Sequence, residues 1–290
     1  MPLSQLISVI IPFYSKESGR LISAVTSALN QTNCTVEVIV VDDCSPISAK
    51  SELKQINDPR VKIIRHEKNS NGGIARNTGV NNAQGQFIAF LDYDDVWYDN
   101  KLEKQLNLYN EKSKNFNPEV VIYSRCKIID GSREFIRPTR AIHDKETVAE
   151  YLFSAQELIQ TSGIFLSKEL AKKVPFHDLK RHQDYQFCLS LEEADVKFVF
   201  SNEVAYEFIQ IHKLNDFTFS LSWLEGYKYL MSKKAVKGFN YLVILRSMIA
   251  AKQYNIALGF AMKKRMPHLF IKSLVLLNLK KLLKWTGVLK

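Results

Sequence analysis

Residues 71–95 read NGGIARNTGVNNAQGQFIAFLDYDD. A glycine-bearing turn opens a stretch of helical character over about 73–83. The apolar run FIAFL at 87–91 follows and ends on three carboxylates, Asp92, Asp94 and Asp95. A short unbroken apolar run suits a strand buried on both faces, as in a parallel sheet. A helix leading straight into such a strand is half of a βαβ unit.

Working outward, the same kind of run recurs at 6–11 (LISVII), 36–41 (VEVIVV) and 61–64 (VKII), with helical segments at about 18–30 and 47–56. Strand and helix alternate, which predicts an α/β domain with a Rossmann-like sheet. Ligands of such sheets bind beyond the carboxyl ends of the strands. Those ends carry Pro12-Phe13-Tyr14-Ser15, Asp42-Asp43-Cys44-Ser45-Pro46 and Asp92-Tyr93-Asp94-Asp95, so acidic groups collect along one edge. Beyond it the pattern predicts a helix at 99–113, apolar segments at 119–129 and 160–166, a helix at 182–194, and strands at 196–200 and 203–209. From 221 onward the pattern is helical almost to the end.

Asp92-x-Asp94, just past a buried strand, is suited to share a hard cation with a diphosphate, because Mg²⁺ and Mn²⁺ prefer carboxylate and phosphate oxygens. The plainer reading is an acidic turn ahead of the next helix. One carboxylate of Asp42-Asp43 can accept hydrogen bonds from a base imide or from ribose hydroxyls; the alternative is an Asx turn into Ser45-Pro46. In 69–77, paired glycines permit close backbone approach, a helix N-terminus favours anions, and Arg76 can pair with phosphate oxygens.

Together SVIIPFYSKE (8–17), VEVIVVDDCSP (36–46), residues 71–95 and RHQDYQFCLSL (181–191) resemble the large family of inverting glycosyltransferases with the GT-A fold, over roughly residues 6–215. The resemblance implies a mixed sheet flanked by helices and a UDP-sugar donor. In it Pro12 and Tyr14 line the base pocket, and Asp43 binds the base. Arg76 lies beside the nucleotide or diphosphate. Asp92 touches the ribose or the metal shell, and Asp94 ligates Mn²⁺ or Mg²⁺. Asp184 is the implied catalytic base, taking a proton from the acceptor hydroxyl on the face opposite the leaving group. A direct displacement of that kind converts an α-linked donor into a β-linked product, and a near-normal carboxylate pKa suffices for it. Gln183 stands where the family usually has Glu. His212, in IQIHKLND, matches a position where a histidine completes the metal site. Thr161 and Ser162, ahead of the apolar GIFL, are placed where they could face the acceptor, but no role is assigned to them.

Composition sets the surroundings. The chain has 290 residues and a net charge of +10, of which 14 Lys and Arg fall between Gly226 and Lys290, a stretch with no Asp or Glu. This predicts a catalytic domain over 1–220 and a basic helical extension over 221–290. Within 268–285, Ile271, Leu274, Val275, Leu279, Leu282 and Leu283 share one face. Lys280, Lys281 and Lys284 lie opposite, Asn278 and Lys272 interrupt the apolar face, and Trp285 tips it, a pattern suited to lying on an anionic membrane surface. The aromatic spacing of this region fits helix packing better than nucleic-acid stacking, so no nucleic-acid partner is expected. No run of 18 apolar residues occurs, the N-terminal stretch has no basic leader, and the four cysteines match no zinc spacing. The expectation is a cytoplasmic enzyme at the inner face of the cell membrane. Its implied acceptor is a glycan, typically lipid-linked, in surface-polysaccharide, O-antigen or lipopolysaccharide synthesis. The rival readings are a nucleotidyltransferase, which usually needs an early glycine-rich basic loop absent here, and a lapsed donor-binding subunit.

Overall fold

The computed structural model describes residues 5–114, 119–210 and 216–285, with side chains described through 277. The chain divides into two compact units, one of residues 1–143 and 158–210, the other of 144–157 and 211–290.

The first unit is built on one mixed sheet. Its half nearest the N-terminus holds β1 (Leu6–Phe13), α1 (Arg20–Leu29), β2 (Thr35–Asp42), α2 (Ala49–Glu52), β3 (Val61–Arg65), α3 (Asn71–Asn82) and β4 (Phe87–Phe90). Then come β5 (Val96–Trp97), α4 (Lys101–Ser113), β6 (Val120–Asp130), β7 (Arg133–Arg137), β8 (Ile164–Ser167), α5 (Lys168–Lys173), α6 (Gln183–Glu193) and β9 (Lys197–Ile209). The strand order is β3-β2-β1-β4-β8-β6-β9-β5, with β7 paired to β6. β3, β2, β1 and β4 run parallel, and β8 joins β4 antiparallel. The strands at 196–200 and 203–209 are one strand, β9, whose pairing to β6 shifts register between Ser124 and Cys126.

β1, β2 and β4 are buried almost throughout, as their apolar runs predict. β3 is not: it is the sheet edge, its pattern is half exposed, and Ile63 is 38% accessible. An apolar run of four is therefore not by itself a sign of burial on both faces. Helix α3 lies tight on β1. A Cβ on Gly79 would sit 2.3 Å from Ile10 Cγ2, so glycine there sets the helix–sheet distance.

The second unit holds α7 (Phe217–Tyr227), α8 (Lys233–Phe239), α9 (Arg246–Ala250), α10 (Tyr254–Lys263) and α11 (Pro267–Trp285), joined by a wide helical turn at Asn240–Leu245. Residues Glu150–Ser154 form a second such turn that packs within this unit. The Phe153 and Phe239 rings meet edge to face at 4.9 Å, and Ser232 Oγ donates to Glu150 at 2.6 Å. No described helix is long and apolar enough to cross a membrane.

Candidate active site

The carboxyl ends of β1, β2, β3 and β4 converge, and the sequence-nominated residues sit on them. At the end of β1, Pro12 is buried opposite Val41, while Tyr14 is exposed. At the end of β2 the two aspartates separate in role. Asp42 builds the turn: its carboxylate accepts from the Ser45 and Ala49 amides, each at 2.8 Å, and from Arg65. Asp43 is left for other work. It is 2% exposed, and its Oδ1 accepts from the Ser70 amide at 2.8 Å and pairs with His66 Nδ1 at 2.7 Å.

Past β4, Asp92 and Asp95 are held from below by one short turn, Gln160-Thr161-Ser162. Gln160 Nε2 donates to both carboxylates at 2.9 Å, Thr161 Oγ1 reaches both oxygens of Asp92, and Ser162 Oγ accepts from the Asp92 amide and donates to Asp95. Trp97, fully packed, donates its indole N–H to the Ser162 carbonyl at 3.0 Å and so fixes the turn in depth. Burial first, and then the nearby Asp92 charge, push the Asp95 carboxyl well above the usual range. Asp95 is thus a buried prop, while Asp94 is half-buried at the edge.

Arg76 joins the acidic edge to α6. It projects from α3, is 6% exposed, and its guanidinium bonds Asp92, Thr161 (3.3 Å) and Gln183 Oε1 (2.9 Å). Gln183 Nε2 in turn donates to the Leu179 carbonyl at 2.6 Å. The amide therefore serves as acceptor and donor at once, which a carboxylate cannot do. The paired glycines admit protein atoms of this same cluster: a Cβ on Gly72 would meet Gln183 Oε1 at 3.0 Å, and one on Gly73 the His177 carbonyl at 2.7 Å.

Asp184 lies in the first turn of α6, half-buried. Burial raises its carboxyl to about 6; the Tyr185 amide and Arg76 pull the other way, and Asp92 adds to the rise. The raised value still leaves the group mostly ionised at neutral pH, as a base requires. Its neighbour His182 has a left-handed backbone (φ 61°), as do Cys44 (φ 57°) beside Asp43 and Asn71 (φ 68°) at the start of α3. Non-glycine residues in that region cost roughly 1–3 kcal/mol and cluster where a site dictates the backbone.

The donor set suits a hard divalent cation. Carboxylate oxygens at a strand end need only one or two protein ligands when a diphosphate supplies the rest. Both Asp92 oxygens accept protein hydrogen bonds, and Asp94 is the half-buried carboxylate beside it at the edge. Among the described residues no cluster of three or more His, Cys, Asp or Glu is arranged to hold an ion unaided. His212 lies outside the described residues.

Sequence reasoning did not find His66, Gln160 or the roles of Thr161 and Ser162. His66 was within reach of the strand-end rule, since it follows β3 as Asp43 follows β2. Thr161 and Ser162 stand out in the sequence only as residues ahead of an apolar run; their bonds to Asp92 and Asp95 arise because antiparallel β8 enters the sheet beside β4.

The carboxyl ends of the strands thus carry Asp43, Asp92 and Asp94, with Arg76 of α3 beside them, on an α/β sheet of the GT-A type. The glycosyl transferase family 2 model matches residues 8–174. The chain is 32% identical over 267 residues to the amylovoran biosynthesis glycosyltransferase AmsB of Erwinia amylovora, covering 88% of each. It is 32% identical over 143 residues to the UDP-Glc:alpha-D-GlcNAc-diphosphoundecaprenol beta-1,3-glucosyltransferase WfgD of Escherichia coli, covering 48% of this chain and 54% of that one. Among solved structures, S. aureus TarS 1-349 in complex with UDP-GlcNAc has a similar fold, with TM-score 0.57 at 19% identity, over 92% of this chain and 79% of that one. The chain belongs to glycosyl transferase family 2 and is a glycosyltransferase.

Proposed function

We propose that the chain moves a hexose or N-acetylhexosamine from a UDP-sugar to a glycan hydroxyl with inversion, forming a β-linkage in the synthesis of a bacterial surface polysaccharide or lipopolysaccharide. The observation that carries this reading is the placement of Arg76. One guanidinium bonds Asp92 at the acidic edge and Gln183 next to Asp184, so the donor side and the base side belong to one site. Asp43 and Tyr14 hold the base at the ends of β2 and β1, with Pro12 shaping the end of β1. Asp92 and Arg76 meet the ribose and diphosphate. Asp94 would hold Mn²⁺ or Mg²⁺, with His212 as a further ligand, and the ion supplies Lewis-acid stabilisation of the leaving diphosphate. Asp184 takes the acceptor proton as the anomeric carbon is attacked, a task suited to a carboxylate ionised at neutral pH.

The names of two relatives support the finer terms. AmsB acts in biosynthesis of amylovoran, and WfgD is named for a UDP-Glc donor, a diphosphoundecaprenol-linked acceptor and a β-1,3 product. A lipid-linked acceptor also suits the basic region 221–290, which we assign to the inner face of the cell membrane.

Titration calorimetry with UDP, with and without Mn²⁺, tests the donor reading. Metal-dependent UDP binding that is lost in Asp94→Ala supports it. UDP-sugar synthesis from UTP and a sugar 1-phosphate, with pyrophosphate release, would instead make the chain a nucleotidyltransferase, and folded protein that binds no nucleotide would make it a lapsed subunit.

A further inference from the structure

The His66–Asp43 contact has no part in the reaction above. The register of the parallel strands sets it: the His66 amide donates to the Asp42 carbonyl at 2.8 Å, one step past β3, so its side chain stands beside Asp43. The imidazole is held at both nitrogens, Nδ1 against Asp43 Oδ1 at 2.7 Å and Nε2 against Thr78 Oγ1 of α3 at 3.0 Å. A hydroxyl that donates to Nε2 leaves the proton on Nδ1, where it points at the carboxylate. With the Ser70 amide at 2.8 Å, Oδ1 then accepts two hydrogen bonds. Oδ2 accepts none from the described residues, although Asp43 is only 2% exposed. Oδ2 is not among the enclosed, unpartnered side-chain atoms of the described residues, so it is the oxygen open to a ligand donor.

We propose that His66, locked by Thr78, is a positioning residue that occupies one oxygen of Asp43 and thereby limits the donor base to one that presents a single N–H. The imide of uracil offers one N–H between two carbonyl oxygens and needs one acceptor. Guanine offers two parallel donors, N1–H and the 2-amino group, and binds a carboxylate best through both oxygens. With Oδ1 saturated, the second guanine donor has no acceptor and would be desolvated unpaired. The selectivity thus resides in His66 and Thr78, neither of which need touch the nucleotide. The inference rests on the reading that Asp43 receives the donor base.

Calorimetry of UDP and GDP in the presence of Mn²⁺ tests it on the full chain. Wild type should prefer UDP. His66→Ala removes one of the two bonds on Oδ1, the Ser70 amide keeping the other, so it should weaken UDP and improve GDP, narrowing the ratio by about tenfold, the effect of one charge-assisted hydrogen bond. His66→Asn, whose amide Nδ2 can take the place of Nδ1, should restore the ratio, which a loss of general packing would not allow. Thr78→Val, which removes only the contact to Nε2, should narrow the ratio by a smaller factor and covers the case of a misfolded alanine variant. A wild-type ratio in both His66→Ala and Thr78→Val overturns the role of His66 while leaving the UDP donor in place. A wild type that prefers GDP, or binds neither, overturns the inference together with the donor reading.

Discussion

At the scale of single residues, the chemistry depends on how Asp184 is tuned. Its carboxyl is raised to about 6, chiefly by burial, and Arg76 opposes the rise. A base must be ionised, so kcat is expected to fall as pH drops through about 6 and to level off above it. Replacing Arg76 by Gln removes a charge that lowers this pKa, so the acid limb should move to higher pH. A limb that stays in place, measured on the same donor, would show that Arg76 does not act on Asp184. Gln183 offers a second test. Its amide accepts from Arg76 and donates to the Leu179 carbonyl, so Gln183→Glu would set a carboxylate oxygen against that carbonyl and draw Arg76 from Asp92. Turnover should fall by about tenfold or more, with the fold intact by circular dichroism. The site was partly legible at this scale. Asp43, Asp92 and Asp94 are acidic residues at strand ends, where a rule points, whereas Asp184 was nominated only by the family resemblance. Gln160 and Ser162 are ordinary polar residues that matter only because the chain returns from 68 and 67 residues away to bond Asp92 and Asp95.

At the scale of elements, glycines divide into those that set a distance and those that do not. Gly79→Ala forces a methyl group to within 2.3 Å of Ile10 Cγ2, a side chain of the closed core. The overpacking should cost about 1–3 kcal/mol, only partly offset by the roughly 1 kcal/mol preference of a helix for Ala over Gly. Gly259 in α10 has nothing within 4 Å of a built Cβ, so Gly259→Ala should stabilise by up to about 1 kcal/mol. Urea midpoints at constant m-value check both, and equal shifts of one sign would contradict the packing account. Elements whose own pattern decides them were readable: β1, β2, β4 and α4 (101–113) fall within two residues of their predicted spans. Two-residue β5 was not, because Val96 and Trp97 become a strand only through pairing with Tyr206 and Glu207. The burial of the 61–64 strand was misjudged for a related reason: its neighbours, not its own residues, make it an edge.

At the scale of the whole molecule, charge and exposed apolar surface point to one environment. In the second unit Ile271, Val275 and Leu276 of α11 and Leu258 and Met262 of α10 are exposed, with Lys263, Lys264, Arg265 and Lys272 among them. Leu274, expected on the same apolar face, is half-buried. The side chains of Asn278, Leu279, Lys280, Lys281, Leu282, Leu283, Lys284 and Trp285 lie outside the described residues. The purified protein should sediment with vesicles rich in anionic lipid and be released as salt rises, since each basic group near such a surface contributes about 1 kcal/mol that salt screens. Ile271→Asp with Val275→Asp should weaken the association without changing UDP binding. Equal sedimentation with neutral vesicles at every salt concentration would oppose the electrostatic part of the account. The basic tail was plain in the sequence, because charge needs no fold to be counted. The packing of residues 144–157 within the second unit was not, since it depends on contacts such as Phe153 with Phe239, 86 positions apart.

The central claim is that Asp43, Asp94 and Asp184 form one transferase site, and turnover of UDP-sugars by Asp184→Asn tests it most directly. UDP release from UDP-glucose and UDP-N-acetylglucosamine, to glycan acceptors or to water, would be followed beside calorimetric binding of UDP. The account predicts turnover reduced by roughly 10²–10⁴-fold, the contribution of a general base, with UDP affinity unchanged. Turnover at the wild-type rate would contradict it.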